Sequence, residues 1–223
     1  MDKINVLFED NHILVVEKPI NILSQADDTN DIDMISILKD YLKVKYQKPG
    51  NVFVGLVHRL DRPVGGVMVF AKTSKAASRL SEQVRTNQLT KTYVAITTKQ
   101  PPLGMMEHYL LKDTKSNMVK VDSKGKLSQA IIKEVSKAEN FYASTIELIT
   151  GRSHQLRVQL SAIGCPIWGD QRYNREAKEK QQIALFAKKL CFYHPITKEK
   201  LCFELAYPNQ SPFNYFNVSA TGQ

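Results

Sequence analysis

His58-Arg59-Leu60-Asp61-Arg62-Pro63-Val64-Gly65-Gly66 separates two apolar runs, Val52 to Val57 before it and Val67 to Ala71 after it. Short apolar runs bounded by turn residues read as buried strands, so the stretch is the connection of a buried β-hairpin. A hairpin connection has no structural need for an aspartate set between two arginines. Pro63 fixes one φ angle, and Gly65-Gly66 permit positive φ and close backbone approach. A rigid scaffold holds a reactive side chain at the mouth of a cleft in this way. The plainer reading, a solvated turn with a surface ion pair, has to be weighed against the rest of the chain.

N-terminal to this stretch, Val6-Leu7-Phe8 and Ile13 to Val16 flank Glu9-Asp10-Asn11-His12 and read as a hairpin. Lys18-Pro19 takes the chain out of the sheet, because proline cannot donate a ladder bond. Residues 24–33 read as a polar loop. Ile35, Leu38 and Leu42 then recur at helical spacing, predicting an amphipathic helix from Asp33 to about Val44. On the C-terminal side, Ser74 is a candidate N-cap for a helix carrying Ala76, Ala77, Leu80 and Val84. Thr90 to Thr97 alternates and is β-rich; residues 101–130 hold a short strand near His108 to Leu111 and a lysine-rich ribbon (Lys112, Lys115, Lys120, Lys124, Lys126). Phe141 to Ile149 reads as a strand, and Ser153 to Ile163 as a helix on which His154 and Arg157 share a face. Ile183 to Phe192 and Leu201 to Leu205 read as further strands, with Phe213, Tyr215 and Phe216 packing the tail. Many short strands with two or three helices indicate an α+β fold with a mostly antiparallel mixed sheet and flanking helices.

The chain has 223 residues, enough for a single domain, and a net charge of +9, which suits a polyanionic partner such as nucleic acid. Cys165, Cys191 and Cys202 show no metal-ligand spacing and are expected as buried free thiols, which places the protein in a reducing compartment. Met1-Asp2-Lys3 opens no signal peptide, and no apolar run approaches the ~20 residues of a membrane span. The cytoplasm, with no membrane partner and a monomeric state, is the default expectation.

Three blocks occur in order: His58-Arg59-Leu60-Asp61, Lys91-Thr92-Tyr93-Val94-Ala95, and Gly151-Arg152-Ser153-His154-Gln155-Leu156-Arg157. Together they resemble the RluA family of RNA pseudouridine synthases. Lys18-Pro19, Gly164 to Asp170 and Phe192-Tyr193-His194-Pro195 also look like family segments, so the resemblance spans about residues 10–208. It implies a pseudouridine synthase catalytic fold with a central cleft, occupying 1–223 as one domain without an N-terminal RNA-binding appendage of the S4 type. Two positions depart from the family: Gly65-Gly66 stands where Ser-Gly is common, and Phe186 where His is common.

Pseudouridine formation breaks the N1–C1′ bond of uridine, turns the uracil and joins C5 to C1′. It needs no redox step, no metal and no cofactor, and a carboxylate can serve as nucleophile or base. By the resemblance Asp61 is that carboxylate, Arg157 its charge partner, and Tyr93 the ring that stacks on the target uracil and a candidate for late proton transfer from C5. A uridine in structured tRNA or rRNA must leave its stack before reaction. Arg59 is the candidate to fill that gap, with His58, Arg62, Arg152, His154 and Gln155 as further candidates for RNA contact or loop support. Two other readings remain: a non-catalytic RNA-binding protein of the same fold, and a metal-dependent nuclease using His58, Asp61 and His154, which lacks the clustered carboxylates of two-metal chemistry.

Overall fold

The protein is described here by a computed structural model covering residues 4–217. The chain packs as two compact units. One comprises residues up to Thr90 together with Lys189–Glu204; the other comprises Lys91–Lys188 and the residues from Leu205 onward.

In the first unit, β1 (Val6–Glu9) pairs with β2 (Ile13–Lys18), and β2 pairs with β4 (Gly65–Ala71), each antiparallel. All seven residues of β4 are buried, as are Ile13 to Val16, so both strands read as near-continuous apolar runs. The run Val52 to Val57, expected as a strand, forms only the two-residue β3 (Gly55–Leu56) at the far end of β4. Val52 and Val54 are buried without joining a ladder, so their alternation records packing rather than pairing. The helix α1 (Met34–Lys45) is capped by Asp33, whose Oδ1 accepts from the Ile35 and Ser36 N–H groups; Met34, Leu38 and Leu42 form its buried stripe. The helix α2 (Ser74–Arg85) starts one residue earlier than Ser74 as a cap would have it: Thr73 is the cap and accepts from the Ala76 N–H. Its buried Gln83 brackets Tyr193, donating to the carbonyl and accepting from the N–H, both at 2.7 Å.

The remaining strands of this unit belong to a hairpin, β10 (Leu185–Tyr193) and β11 (Lys200–Glu204), with the boundary between units falling inside β10. Cys191 and Cys202 are register partners on it and form a disulfide, with S–S 2.11 Å. This corrects the expectation of three free thiols: the two cysteines lie in separate apolar strands, and only the hairpin register brings them together. Cys165 alone is free and buried. In the hairpin turn, His194 accepts from the Ile196 and Thr197 N–H groups at Nδ1, so Nε2 carries the proton and donates to Asp10, 2.9 Å away.

The second unit holds β5 (Thr90–Thr97), β6 (Gly104–Asp113), β7 (Met118–Val121), β8 (Lys126–Ala138) and β9 (Phe141–Leu148) in the order β5-β9-β8-β6-β7, every ladder antiparallel. β8 is not legible in the sequence. Its buried face is built from Ser128, Ala130 and Ile132, of which only the last is large and apolar, and a register irregularity between Ile132 and Glu134 breaks the alternation. The helix α3 (Gln155–Ala162) is two residues shorter at its start than expected, because His154 takes a left-handed conformation, φ 51°. Phe213 and Phe216 are buried in a short 3₁₀ turn, and Phe186 meets Phe213 edge-on at 6.2 Å, which gives the aromatic at 186 a packing partner in the tail. No helix of the described residues is long and apolar enough to cross a membrane.

Glu9 ties β1 to α1 and to Lys72: its carboxylate accepts from Lys45, Lys72, Tyr41 and Tyr46. Burial pushes its pKa up, but these four donors outweigh burial and hold it at about 2. A carboxylate lowered by the fold stabilises above its unfolded pKa, and that stability is lost as pH falls through the folded value. Glu9→Gln should therefore cost about 2–3 kcal/mol at pH 7, with the gap to wild type closing between about pH 4.5 and pH 2. Urea midpoints across that range measure it; a gap independent of pH would show that the charge plays no part.

Candidate active site

The first unit carries His58, Arg59, Asp61 and Arg62 on the connection into β4. This segment has no regular structure, and its shape is set by three polar side chains that are themselves buried. Ser24 brackets Leu60: its hydroxyl donates to the Leu60 carbonyl (2.8 Å) and accepts from the Leu60 N–H (3.1 Å). His58 accepts at Nε2 from the Val69 N–H, 3.2 Å, which fixes the tautomer with the proton on Nδ1. Lys18, fully buried at the end of β2, donates to the carbonyls of Pro19 (2.8 Å), Ile22 (2.6 Å) and Arg62 (3.1 Å). A turn closed by the Val64 N–H on the Asp61 carbonyl, 2.9 Å, completes the loop. Asp61 is half-buried in the middle of this frame.

The sequence reading takes Lys18 as the end of a strand and part of a family-like segment, not as a site residue. Its signal is a lysine directly before Pro19, where the chain leaves the sheet. Burial drives its pKa down to about 7, opposed by the negative charge of Asp61 and reinforced by the positive charge of Arg62. Gly66 pairs with Lys18 at φ 129°, a conformation that calls for glycine. A Cβ on Gly65 would lie 3.1 Å from Ile20 Cγ2 and 3.2 Å from the Lys18 carbonyl, so the double glycine suits the isoleucine at position 20.

The two arginines beside Asp61 differ. Arg59 is exposed between buried His58 and Leu60, and among the described residues it has no hydrogen bond or ion pair. Arg62 is exposed, reaches Asp31 at 2.6 Å and donates to the Asn21 carbonyl. An exposed pair of this kind is weak and exchangeable.

The second unit carries Tyr93, Arg152, His154, Gln155 and Arg157. Tyr93 is buried on β5 opposite Ile146. Arg157 lies on α3, nearly fully buried, and Asp170 grips one edge of its guanidinium: Nε donates to Oδ2 (2.8 Å) and an Nη to Oδ1 (2.6 Å). The Tyr173 ring stacks against the same guanidinium, 5.2 Å from its centroid. The Tyr173 hydroxyl meets His154 Nδ1 at 2.7 Å and accepts from the Val119 N–H, while Asp170 Oδ1 also takes the Arg172 and Tyr173 N–H groups. Burial raises the Tyr173 pKa, partly countered by the Val119 N–H and the Arg157 charge. Asp170 and Tyr173 were not read as site residues from the sequence, since neither lies in the three motif blocks.

Gln155 is buried, and its amide is committed inside the fold. Oε1 accepts from Thr150 and from the Arg152 N–H; Nε2 donates to the Gln129 carbonyl and to Gln159. Gln159 in turn donates to the carbonyls of Met106 and Ser128, fastening α3 to β6 and β8. The geometry of Gln155 is that of loop and helix support. Arg152 is exposed, with Nε on the Leu127 carbonyl at 3.3 Å. Among the described residues no group of three His, Cys, Asp or Glu side chains is arranged to hold a metal ion.

Two expected outcomes follow from these buried charges. Lys18 has a folded pKa of about 7 against 10.5 unfolded, so between these values the folded state binds fewer protons and wild-type stability rises with pH. The rise approaches ~1.4 kcal/mol per pH unit; Lys18→Met should lack it, whatever its offset, in urea midpoints taken at pH 7 and pH 9. Parallel changes in both proteins would refute the assignment. Asp170→Ala removes one side of a buried pair and should cost about 3 kcal/mol, read as a fall in the urea midpoint; a loss below ~1 kcal/mol would count against a buried, desolvated pair.

Residues 12–162 match the family model described as RNA pseudouridylate synthase. The chain is 31% identical over 216 residues to an uncharacterized RNA pseudouridine synthase of Bacillus subtilis, and 30% identical over 220 residues to ribosomal large subunit pseudouridine synthase D of Zymomonas mobilis. In each case 92% of this chain and 69% of the relative are covered. Among solved structures, human RNA pseudouridylate synthase domain containing 4 shares the fold at TM-score 0.77 and 23% identity, covering 95% of this chain and 90% of that one. With the family model matching more than half of its length, the chain belongs to the RNA pseudouridine synthases of the RluA type.

Proposed function

We propose that Asp61 is the catalytic carboxylate of this RNA pseudouridine synthase, with Tyr93 and Arg157 as its partners in chemistry, and that the substrate is ribosomal RNA. The observation that carries the reading is the framing of Asp61 by three buried polar side chains: Lys18 and Ser24 bond the main chain of its neighbours Arg62 and Leu60, and His58 ties the loop to the Val69 N–H of β4. A surface ion pair has no use for such a frame; a group that must meet a reacting atom within a fraction of an ångström does. Ribosomal RNA is favoured by the relative named as acting on the large ribosomal subunit.

In this mechanism the target uridine leaves its stack and enters beside Asp61. Arg59, exposed and uncommitted, takes up the vacated space by stacking its planar guanidinium on the neighbouring bases. The carboxylate assists cleavage of N1–C1′, the uracil turns, C5 bonds to C1′, and the C5 proton is released while N1 gains one. Tyr93 packs on the ring during the turn and stands next to the C5 proton. Arg157, held in one orientation by Asp170, is the positive charge assigned to the reaction. His58, Arg62, His154 and Gln155 support the two loops, and Arg62 can exchange Asp31 for phosphate. The enzyme works as a cytoplasmic monomer without cofactor or metal.

Asp61→Asn preserves shape and removes the charge. Tritium release from C5-labelled uridine in ribosomal RNA should fall to background, while RNA binding stays within about twofold of wild type. Release at a wild-type rate would overturn the assignment of Asp61.

A further inference from the structure

Lys91 is the second residue of β5, opposite Leu148 of β9. Its ammonium lies over Gly151: a Cβ built on that glycine would come 3.2 Å from Nζ, with no other atom within 4 Å. Among the described residues Nζ has neither a hydrogen-bond acceptor nor an ion-pair partner. The acid nearest on the partner strand, Glu147, faces Thr92 in the register and is engaged by Lys133 at 3.3 Å. Burial lowers the pKa of Lys91, and no opposing attraction accompanies it.

A desolvated cation without a partner lowers stability, since the water it lost has not been replaced. Methionine would fill the same volume without that penalty. The feature makes sense if an anion arrives with the substrate. Strand geometry places Lys91 and Tyr93 on one face of β5, ~7 Å apart along the strand. Arg152, exposed and next in the chain after Gly151, adds a second positive charge beside the glycine. The lack of a side chain at 151 leaves the ammonium open to a bulky tetrahedral group.

We propose that Lys91, Gly151 and Arg152 form a seat for one backbone phosphate of the RNA, adjoining the nucleotide whose base packs on Tyr93. The inference rests on the reading of Tyr93 as the ring that meets the target base. The phosphate contributes no bond-making; it fixes the position of the sugar to which the base must be rejoined.

The test uses the full chain and protein-free large-subunit ribosomal RNA. Affinity is measured by filter binding between 50 and 400 mM KCl for wild type, Lys91→Met and Lys91→Arg. Lys91→Met should bind roughly tenfold less tightly at moderate salt, and the slope of log affinity against log salt should shrink by ~0.7–0.9, one phosphate contact. Lys91→Arg should restore the slope. The thermal midpoint of Lys91→Met should match or exceed that of wild type, which a merely structural lysine would not combine with weaker binding. An unchanged slope in Lys91→Met overturns the proposal. Should that variant fail to fold, Lys91→Gln is read in the same way. A failure of the catalytic reading appears instead as tritium release by Asp61→Asn, which leaves the salt slopes untouched.

Discussion

A lysine ammonium taken out of water lowers stability unless something else accepts its three protons. At the end of β2 that requirement is met by the carbonyls of Pro19, Ile22 and Arg62. The consequence reaches well beyond a single side chain. Two of these carbonyls lie in the segment leaving β2, and the third lies in the loop that carries Asp61. A segment that would otherwise be an irregular surface loop is therefore held at both ends of a buried charge, with Ser24 and His58 fixing the residues just before Asp61. The loop owes its shape to polar atoms that have no alternative partner in the interior. Remove the ammonium, and three carbonyls lose their donor together.

The second unit solves a related problem in another way. Arg157 enters the interior on α3, and a carboxylate rather than a set of carbonyls receives it. Two parallel hydrogen bonds to Asp170 and the face of Tyr173 leave the guanidinium one orientation. The helix around it is short and buried on nearly every side. It is held because Gln155 and Gln159 satisfy strand carbonyls as well as each other. Polar residues here do the fastening that leucines do in α1.

How much of this was legible follows from the range over which each signal acts. The strand at Thr90–Thr97, helix α1 and the hairpin β1–β2 carry their patterns within a few residues and read correctly. β8 failed because serine and alanine stand beside Ile132 at its buried positions and its irregular register hides the period. The Cys191–Cys202 bond needed the β10–β11 register, which no spacing rule supplies. Asp61, Tyr93 and Arg157 were found through motif blocks. Lys18, Asp170 and Tyr173 were missed because what marks them is depth and partnership, properties that exist only once the chain has folded.

Depth and partnership also separate the buried cations by what they do. Lys18 is saturated by main-chain carbonyls and Arg157 is gripped by a carboxylate; both are parts of the frame, and removing the groups that answer them would leave a buried cation unpaired. Lys91 is half-buried and has no such answer. Natural proteins sit close to their stability threshold, and a residue that draws on that margin without return is removed by the first tolerated substitution unless function holds it there. On β5 the residue two positions further on is Tyr93, on the same face. The uncompensated charge therefore stands where an RNA backbone would have to pass if its base is to reach that ring, and the missing partner is the substrate's own phosphate.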